Sequence, residues 1–348
     1  MRKNFHCRAL GMVGVLWASQ AFGTEVSLPS GDVFEKIQVE GASCADSSPY
    51  YIYIRHGDPS KLLIHFQGGG ACWNKTTCFG LPLTSRRDRP DFYSNFYVGP
   101  HLRGNPFNEH TYVYLPYCTG DLHAGTHTAH YGSREMKHWG RINVDKAFSW
   151  IEANKDSLVS RADEVNVYGE SAGALGAILN LNRVERITKP SARKLLIADS
   201  PGLHFNQKIW GRFSKPFLRD LDARLEQSGM TRFDESGLLA PQMKTLCEKY
   251  DTWKIGFLQA SRDVVMSLIF GRLSSFRHYF RVMGRNGLHR TLWDPTDNCS
   301  SWIPDSPLHI FGTYALSWNS RTWDGVSAGE YIRSLQRSDL LSLQPSHH

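Results

Sequence analysis

The pentapeptide Gly169-Glu170-Ser171-Ala172-Gly173 constrains this chain more than any other feature. The residues before it, Glu164-Val165-Asn166-Val167-Tyr168, carry β-branched side chains and read as a strand. Those after it, Ala174 to Leu181, are rich in helix formers. A strand that becomes a helix across G-x-S-x-G is a nucleophile elbow. The small residues Gly169, Ala172 and Gly173 let strand and helix approach closely. Ser171 would then stand at the top of a sheet, beside a helix N-terminus. The bland alternative is a Gly-rich turn whose serine only caps the helix.

The rest of the chain supplies a sheet for such an elbow. Val33–Val39, Tyr50–Arg55, Lys61–Phe66, Thr111–Leu115, Lys194–Ala198 and Ile255–Leu258 read as strands. Asp58-Pro59-Ser60 reads as a turn. Helical spacing marks Asn143–Ile151 and Val326–Leu335. Strands alternating with helices predict an α/β fold with a mostly parallel central sheet flanked by helices. Residues 203–250 are charged and aromatic without strand signals. We read them as a helical insertion, a lid or substrate wall.

Arg2, Lys3 and Arg8 precede an apolar run from Ala9 to Trp17, followed by Ala21-Phe22-Gly23. This is the pattern of a cleavable secretory signal over residues 1–23, leaving residues 24–348 as one catalytic domain. The run is too short to span a bilayer, and no other stretch is long and apolar enough. Beyond Cys7, six cysteines remain: Cys44, Cys72, Cys78, Cys118, Cys247 and Cys299. An even set in an exported chain implies up to three disulfides, and six cysteines allow about 15 pairings. Cys72 and Cys78 are close enough to staple one loop. Losing the signal's three basic residues, with no acidic one, lowers the formal net charge from +7 to +4. That mild charge can help approach to an anionic polymer or surface, but a charge of this size more often serves only solubility. No basic stripe interleaved with aromatics points to nucleic acid.

A serine hydroxyl needs a base, a group that orients the base, and donors for the oxyanion. Gln67-Gly68-Gly69-Gly70-Ala71 follows a strand well upstream of Ser171, where hydrolases of this class carry a glycine-rich oxyanion loop. Gly69 and Gly70 with the N–H of Ala172 are the candidate donors. A phosphate loop would want Gly-Lys-Ser/Thr, which is absent here. Candidate acids after the serine are Asp199, Asp263, Asp294 and Asp305. Candidate bases are His204, His278, His289 and His309. Asp263 follows a strand by a short loop and His309 lies late in the chain, but residue chemistry alone leaves the choice open. Asp199 is the rival acid.

Three segments form a distinctive set: His65-Phe66-Gln67-Gly68-Gly69-Gly70-Ala71-Cys72-Trp73, Tyr117 to Gly125, and Tyr168 to Gly173. Together they resemble the pectin acetylesterase/Notum family of secreted serine carboxylesterases. The resemblance implies an α/β-hydrolase-like fold, no cofactor and cleavage of O-acyl esters. It also implies that Ser171 is the nucleophile, Asp263 the orienting acid and His309 the base. Better-known members carry an aromatic just after the glycines, where this chain has Ala71, with Trp73 two residues on. Animal relatives remove a lipid acyl group and plant relatives remove acetyl from pectin. The expected substrate is an O-acyl, foremost O-acetyl, ester on a small molecule or polysaccharide. A lipase or polyester depolymerase on the same triad, and a non-catalytic exported binding protein, are the alternatives. His123, His127, His130 and His138 cluster in sequence without the cysteine or carboxylate pattern of a zinc site, so no metal is expected. That loop should border the cleft, with Asp121 holding backbone. Tyr93, Phe96, Tyr97 and Trp139 are candidate groove aromatics.

Overall fold

A computed structural model describes residues 24–27, 33–81, 83–91, 105–230, 236–292 and 298–337. The signal segment, Tyr93, Phe96, Tyr97 and Asp294 lie outside the described residues. Among the described residues, nine strands form the main sheet: β1 (Thr24–Ser27), β2 (Val33–Ser43), β3 (Pro49–Arg55), β4 (Asp58–Phe66), β5 (His110–Leu115), β8 (Glu164–Glu170), β9 (Arg193–Asp199), β10 (Trp253–Leu258) and β11 (Cys299–Trp302). Their order is β1-β2-β3-β5-β4-β8-β9-β10-β11. The strands from β5 to β11 in that order are parallel, and β1, β2 and β3 extend the sheet antiparallel. This is the mostly parallel α/β sheet that the alternating pattern predicts, in the α/β-hydrolase-like form that the resemblance implies. A separate hairpin holds β6 (His127–Tyr131) and β7 (Arg134–His138).

The parallel strands read as continuous apolar runs because both faces are covered. On one face, Ile64, Phe66, Val167 and Leu196 pack against Val144, Phe148, Leu175 and Ile178. These last come from α1 (Gly140–Ala153) and α2 (Ala172–Ile187). On the other face, Leu63, Tyr168, Ile197 and Leu258 pack against Tyr331, Ile332 and Leu335 of α6 (Ala328–Gln336). Each such large apolar side chain contributes about 1.5–3 kcal/mol on burial. Helix α2 is buried from Ala172 through Leu181, and its Ala and Gly residues let it lie close to the sheet.

Two local expectations are corrected. Asp58-Pro59-Ser60 does not form a free turn but opens β4, with the register shifting between Asp58 and Leu62. The closing helix starts at Ala328 rather than Val326. Ser327 caps it, accepting from Glu330 N at 3.2 Å, while Glu330 Oε2 accepts from Ser327 N at 2.7 Å. Where described, segment 203–250 carries helices joined by turns: α3 (Lys215–Gln227), α4 (Met243–Lys249) and a single helical turn at Gln207–Trp210. Another helix, α5 (Ser275–Met283), follows β10. Three disulfides join Cys44 to Cys118, Cys72 to Cys78 and Cys247 to Cys299. The short Cys72–Cys78 loop is stapled as its spacing suggested. Among the described residues no helix is long and apolar enough to cross a membrane.

Candidate active site

In an open α/β sheet, function collects beyond the carboxyl ends of the strands. Phe66, Gly169 and Ala198 are register partners, as are Ala198 and Phe257. The loops that leave these strands therefore emerge side by side. They are 67–72, the elbow at 171, 200–206 and 259–264. Backbone bonds continue the register past the strand ends: Ser171 N to Asp199 O at 2.7 Å, Ser200 N to Leu258 O at 2.7 Å, and Gln259 N to Trp302 O at 3.1 Å. Further out, Ser261 N donates to Pro304 O and Val264 N to Pro307 O, each at 3.0 Å. That ladder sets the Asp263 loop against the His309 loop.

Ser171 caps α2 with φ 54° and ψ −120°, the strained turn of a nucleophile elbow. The conformation costs about 1–3 kcal/mol and persists only because its surroundings enforce it. Gly173 shows how tight the turn is, since a Cβ there would stand 2.0 Å from Phe66 O. As the first residue of α2, Ala172 has no intrahelical acceptor for its N–H, and the helix dipole points its positive end at the serine. Gly70 has φ 74°, and a Cβ there would meet Leu83 O at 2.0 Å, so the loop needs glycine. Among the described residues, the N–H groups of Gly69, Gly70 and Ala172 have no hydrogen-bond partner.

His309 Nδ1 lies 2.7 Å from Asp263 Oδ2, and the other oxygen of Asp263 accepts from Met266 N at 2.9 Å. Asp263 is fully buried. Nε2 of His309 is buried and has no hydrogen-bond partner, so no bond to Ser171 is made in this state. Asp199 does a different job. Its Oδ2 accepts from Phe311 N and Gly312 N, each at 2.7 Å, and from Tyr168 OH at 3.1 Å. Ser200 Oγ accepts from Ile310 N at 3.1 Å. The strand end that holds the Ser171 N–H thus also holds the His309 loop. Ile310 has φ 57°, rare for a β-branched residue, so that loop is itself strained. Burial pushes the Asp199 carboxyl up to about 6, against the pull of those donors.

The other sequence candidates separate from this group. His204 Nε2 accepts from Leu288 N at 3.2 Å, and burial holds the ring well below its usual pKa. Burial likewise pushes His278 down to about 4 and lowers His289. Asp305 pairs with Arg262 at the surface.

A pocket opens beside the serine. Ser171, Ala172, Gly70 and Leu122 line it together with the apolar side chains of Trp73, Phe205, Ile209, Trp210, Phe213, Met266 and Phe270. It encloses about 440 Å³, counting space open to solvent, and its walls are almost wholly apolar. Asp263 and His309 are not among the lining residues. Four wall residues come from segment 203–250. Trp73, two positions past Ala71, reaches the wall, whereas Trp139 bonds Thr128 Oγ1 in the hairpin region at 3.2 Å.

Residue-by-residue reading missed the supports of the glycine loop. Glu170 Oε1 accepts from Gly68 N at 2.7 Å, and its Oε2 meets His65 Nε2 at 2.5 Å. His65 is fully buried among Tyr112, Tyr114 and Tyr168, and its Nδ1 meets Tyr112 OH. A histidine inside the apolar run Leu62-Leu63-Ile64-His65-Phe66 was the available signal, because a buried polar group must have a partner. His123 Nε2 donates to Gln67 O at 2.9 Å, and burial lowers its pKa, keeping the ring neutral. Asp121 holds backbone as expected, accepting from Gly140 N at 2.7 Å and from Thr119 Oγ1 at 2.6 Å.

His127 and His138 of the histidine cluster are held by protein partners, while His130 is exposed. His127 Nδ1 pairs with Asp220 at 2.7 Å. His138 meets Thr119 O at 2.8 Å and Tyr131 OH at 2.9 Å. Cys72 and Cys78 lie near His138, but their disulfide removes the thiolates a metal would need.

The Pectinacetylesterase family model matches residues 30–214, more than half of the chain. The chain belongs to the pectinacetylesterase family. Palmitoleoyl-protein carboxylesterase NOTUM of Schmidtea mediterranea is 30% identical over 169 residues, 44% of this chain and 31% of that protein. Human palmitoleoyl-protein carboxylesterase NOTUM is 25% identical over 174 residues, 45% of this chain and 34% of its own length. Pectin acetylesterase 11 of Arabidopsis thaliana is 25% identical over 179 residues, 48% of this chain and 44% of that protein. The matched region spans less than half the length of each relative. The pectinacetylesterase match includes Gly69, Gly70, Ser171 and Ala172 and ends before Asp263 and His309.

Proposed function

We propose that this chain is a carboxylic ester hydrolase that cleaves O-acyl esters through Ser171, His309 and Asp263. His309 Nε2 takes the proton of Ser171 Oγ as that oxygen attacks the ester carbonyl. Asp263 holds the opposite ring nitrogen and stabilises the imidazolium. The oxyanion lies against the N–H of Ala172 and the N–H groups of Gly69 and Gly70. Collapse breaks the bond to the alcohol, which leaves with the proton from His309. Water, deprotonated by the same ring, then releases the acid and regenerates the serine.

The observation that carries this reading is the strained Ser171 elbow, open to an apolar pocket and tied through Asp199 to the loop of an Asp263-paired histidine. Uncommitted N–H groups beside the serine support the oxyanion assignment. Within residues 24–348 as one catalytic domain, segment 203–250 acts as the acyl wall or lid. Three disulfides suit export through an oxidising compartment.

On the acyl side, the sequence expectation was acetyl. A longer chain is the second reading, favoured by the aromatic and aliphatic walls. A p-nitrophenyl ester series from acetyl upward, run beside Ser171→Ala, tests both. The hydrolase reading requires turnover that vanishes in the variant. Equal rates in both proteins would contradict it, and a fall in kcat/KM beyond acetyl would contradict the longer chain.

A further inference from the structure

The rim of the pocket carries a surface that ester hydrolysis alone does not explain. Met266 and Phe270 face into the pocket, while Leu268 and Ile269 between them face solvent, 53% and 47% exposed. Just beyond, α5 presents Phe276 and Phe280, 67% and 57% exposed, one turn apart with ring centroids 4.7 Å from each other. Large apolar side chains gathered this way normally mark a binding surface.

Charge on the same stretch is one-sided. Residues 264–292 contain five arginines, at 272, 277, 281, 285 and 290, and no aspartate or glutamate. Arg272, Arg277 and Arg285 are exposed and have no acidic partner among the described residues. Across the pocket mouth, Arg212 donates to Phe270 O at 2.9 Å and lies over the Trp73 ring at 5.8 Å. Burial, and then the nearby charge of Arg272, depress its pKa. Among the described residues neither Arg212 nor Arg272 is paired with a carboxylate.

Apolar side chains that enter an acyl boundary, ringed by cations that meet headgroup phosphates, are the pattern of interfacial binding. Leu268 and Ile269 offer a polysaccharide no hydrogen bonds. We propose that this rim docks the protein on an anionic lipid surface, with Leu268, Ile269, Phe276 and Phe280 inserted and Arg272 and Arg277 against lipid phosphates. Docking there sets the pocket mouth at the interface, where an acylated substrate would present its chain; that benefit alone rests on the hydrolase reading.

The test is flotation of the full chain carrying Ser171→Ala, which removes turnover, with two vesicle types. One contains phosphatidylglycerol in phosphatidylcholine, the other phosphatidylcholine alone. The proposal expects binding to the anionic vesicles, loss of that binding at high salt, and roughly tenfold weaker partitioning for Phe276→Ser/Phe280→Ser. Arg272→Glu/Arg277→Glu should remove the preference for anionic lipid. Thermal midpoints equal to that of the parent establish that the variants are folded. No flotation with either vesicle would overturn the proposal, as would equal flotation of the paired-Phe variant. So would self-association through this face, or capture by polyuronate without capture by vesicles. Because binding is read without catalysis, a failure of docking and a failure of the ester-hydrolase reading are separately visible.

Discussion

Replacing Glu170 by alanine removes the link between the elbow and the glycine loop. In the structure, one carboxyl oxygen accepts from Gly68 N at 2.7 Å and the other meets His65 Nε2 at 2.5 Å. His65 is fully buried and Glu170 is 7% exposed, so water does not readily replace the lost partner. Two groups left unsatisfied at about 1–3 kcal/mol each give an expected loss of about 4 kcal/mol for Glu170→Ala. Glu170→Gln should cost far less, about 1 kcal/mol. Its amide oxygen can still accept from Gly68, while its NH₂ donates to a His65 tautomer protonated at Nδ1 toward Tyr112. Urea unfolding followed by tryptophan fluorescence reads both numbers. The midpoint should shift several-fold more for Ala than for Gln, with unchanged slope. Catalysis should follow the loop, kcat falling more than KM rises if Gly69 and Gly70 serve the oxyanion. Equal midpoints for the two variants, or a loss below about 1 kcal/mol for Ala, would refute the reasoning.

Other predictions concern the serine, the acid and the anchor. Ser171→Gly should abolish turnover yet raise unfolding free energy by about 1 kcal/mol, because glycine relieves the φ 54° strain; a destabilised variant would contradict the strain. Asp263→Asn keeps an oxygen for Met266 N but points NH₂ at His309 Nδ1, forcing the wrong tautomer. kcat should drop about 10⁴-fold with the fold intact, measured on a soluble ester. Asp199 holds its proton up to about 6 against an ordinary 3.8, so the folded state binds that proton more tightly than the unfolded chain. The linked stability is complete below about pH 4 and fades as pH rises through about 6, roughly 3 kcal/mol in all. Asp199→Asn should lack this pH dependence, and parallel stability–pH curves for variant and parent would contradict it.

Much of the fold was legible because parallel strands buried on both faces are written as apolar runs and need no distant information. Val165–Tyr168 and Lys194–Ala198 lie within β8 and β9, and Gly-x-Ser-x-Gly marks a turn whose geometry few other residues tolerate. Strand β11, Cys299–Trp302, went unread because four residues with two serines carry no periodic signal; the sheet edge and the Cys247 disulfide hold it there. The hairpin of β6 and β7 was hidden by its histidines, which suggested ligand chemistry where the structure has pairings to Asp220, Thr119 and Tyr131. At the site, Asp199 and Asp263 both follow strands, and local sequence cannot tell an acid that holds a ring from one that holds a loop. That distinction depends on His309 and Phe311, more than a hundred residues from Asp199. Glu170 occupies the variable position of the motif, so its role could emerge only once β4 and β8 were paired.

The central claim is that Ser171 is a nucleophile activated by His309. The most direct measurement is intact-mass analysis after treatment with a fluorophosphonate, with peptide mapping of the adduct. One adduct on Ser171 is predicted, absent in Ser171→Ala and greatly slowed in His309→Ala. Labelling elsewhere, no labelling of the folded protein, or an undiminished rate in His309→Ala would contradict the account.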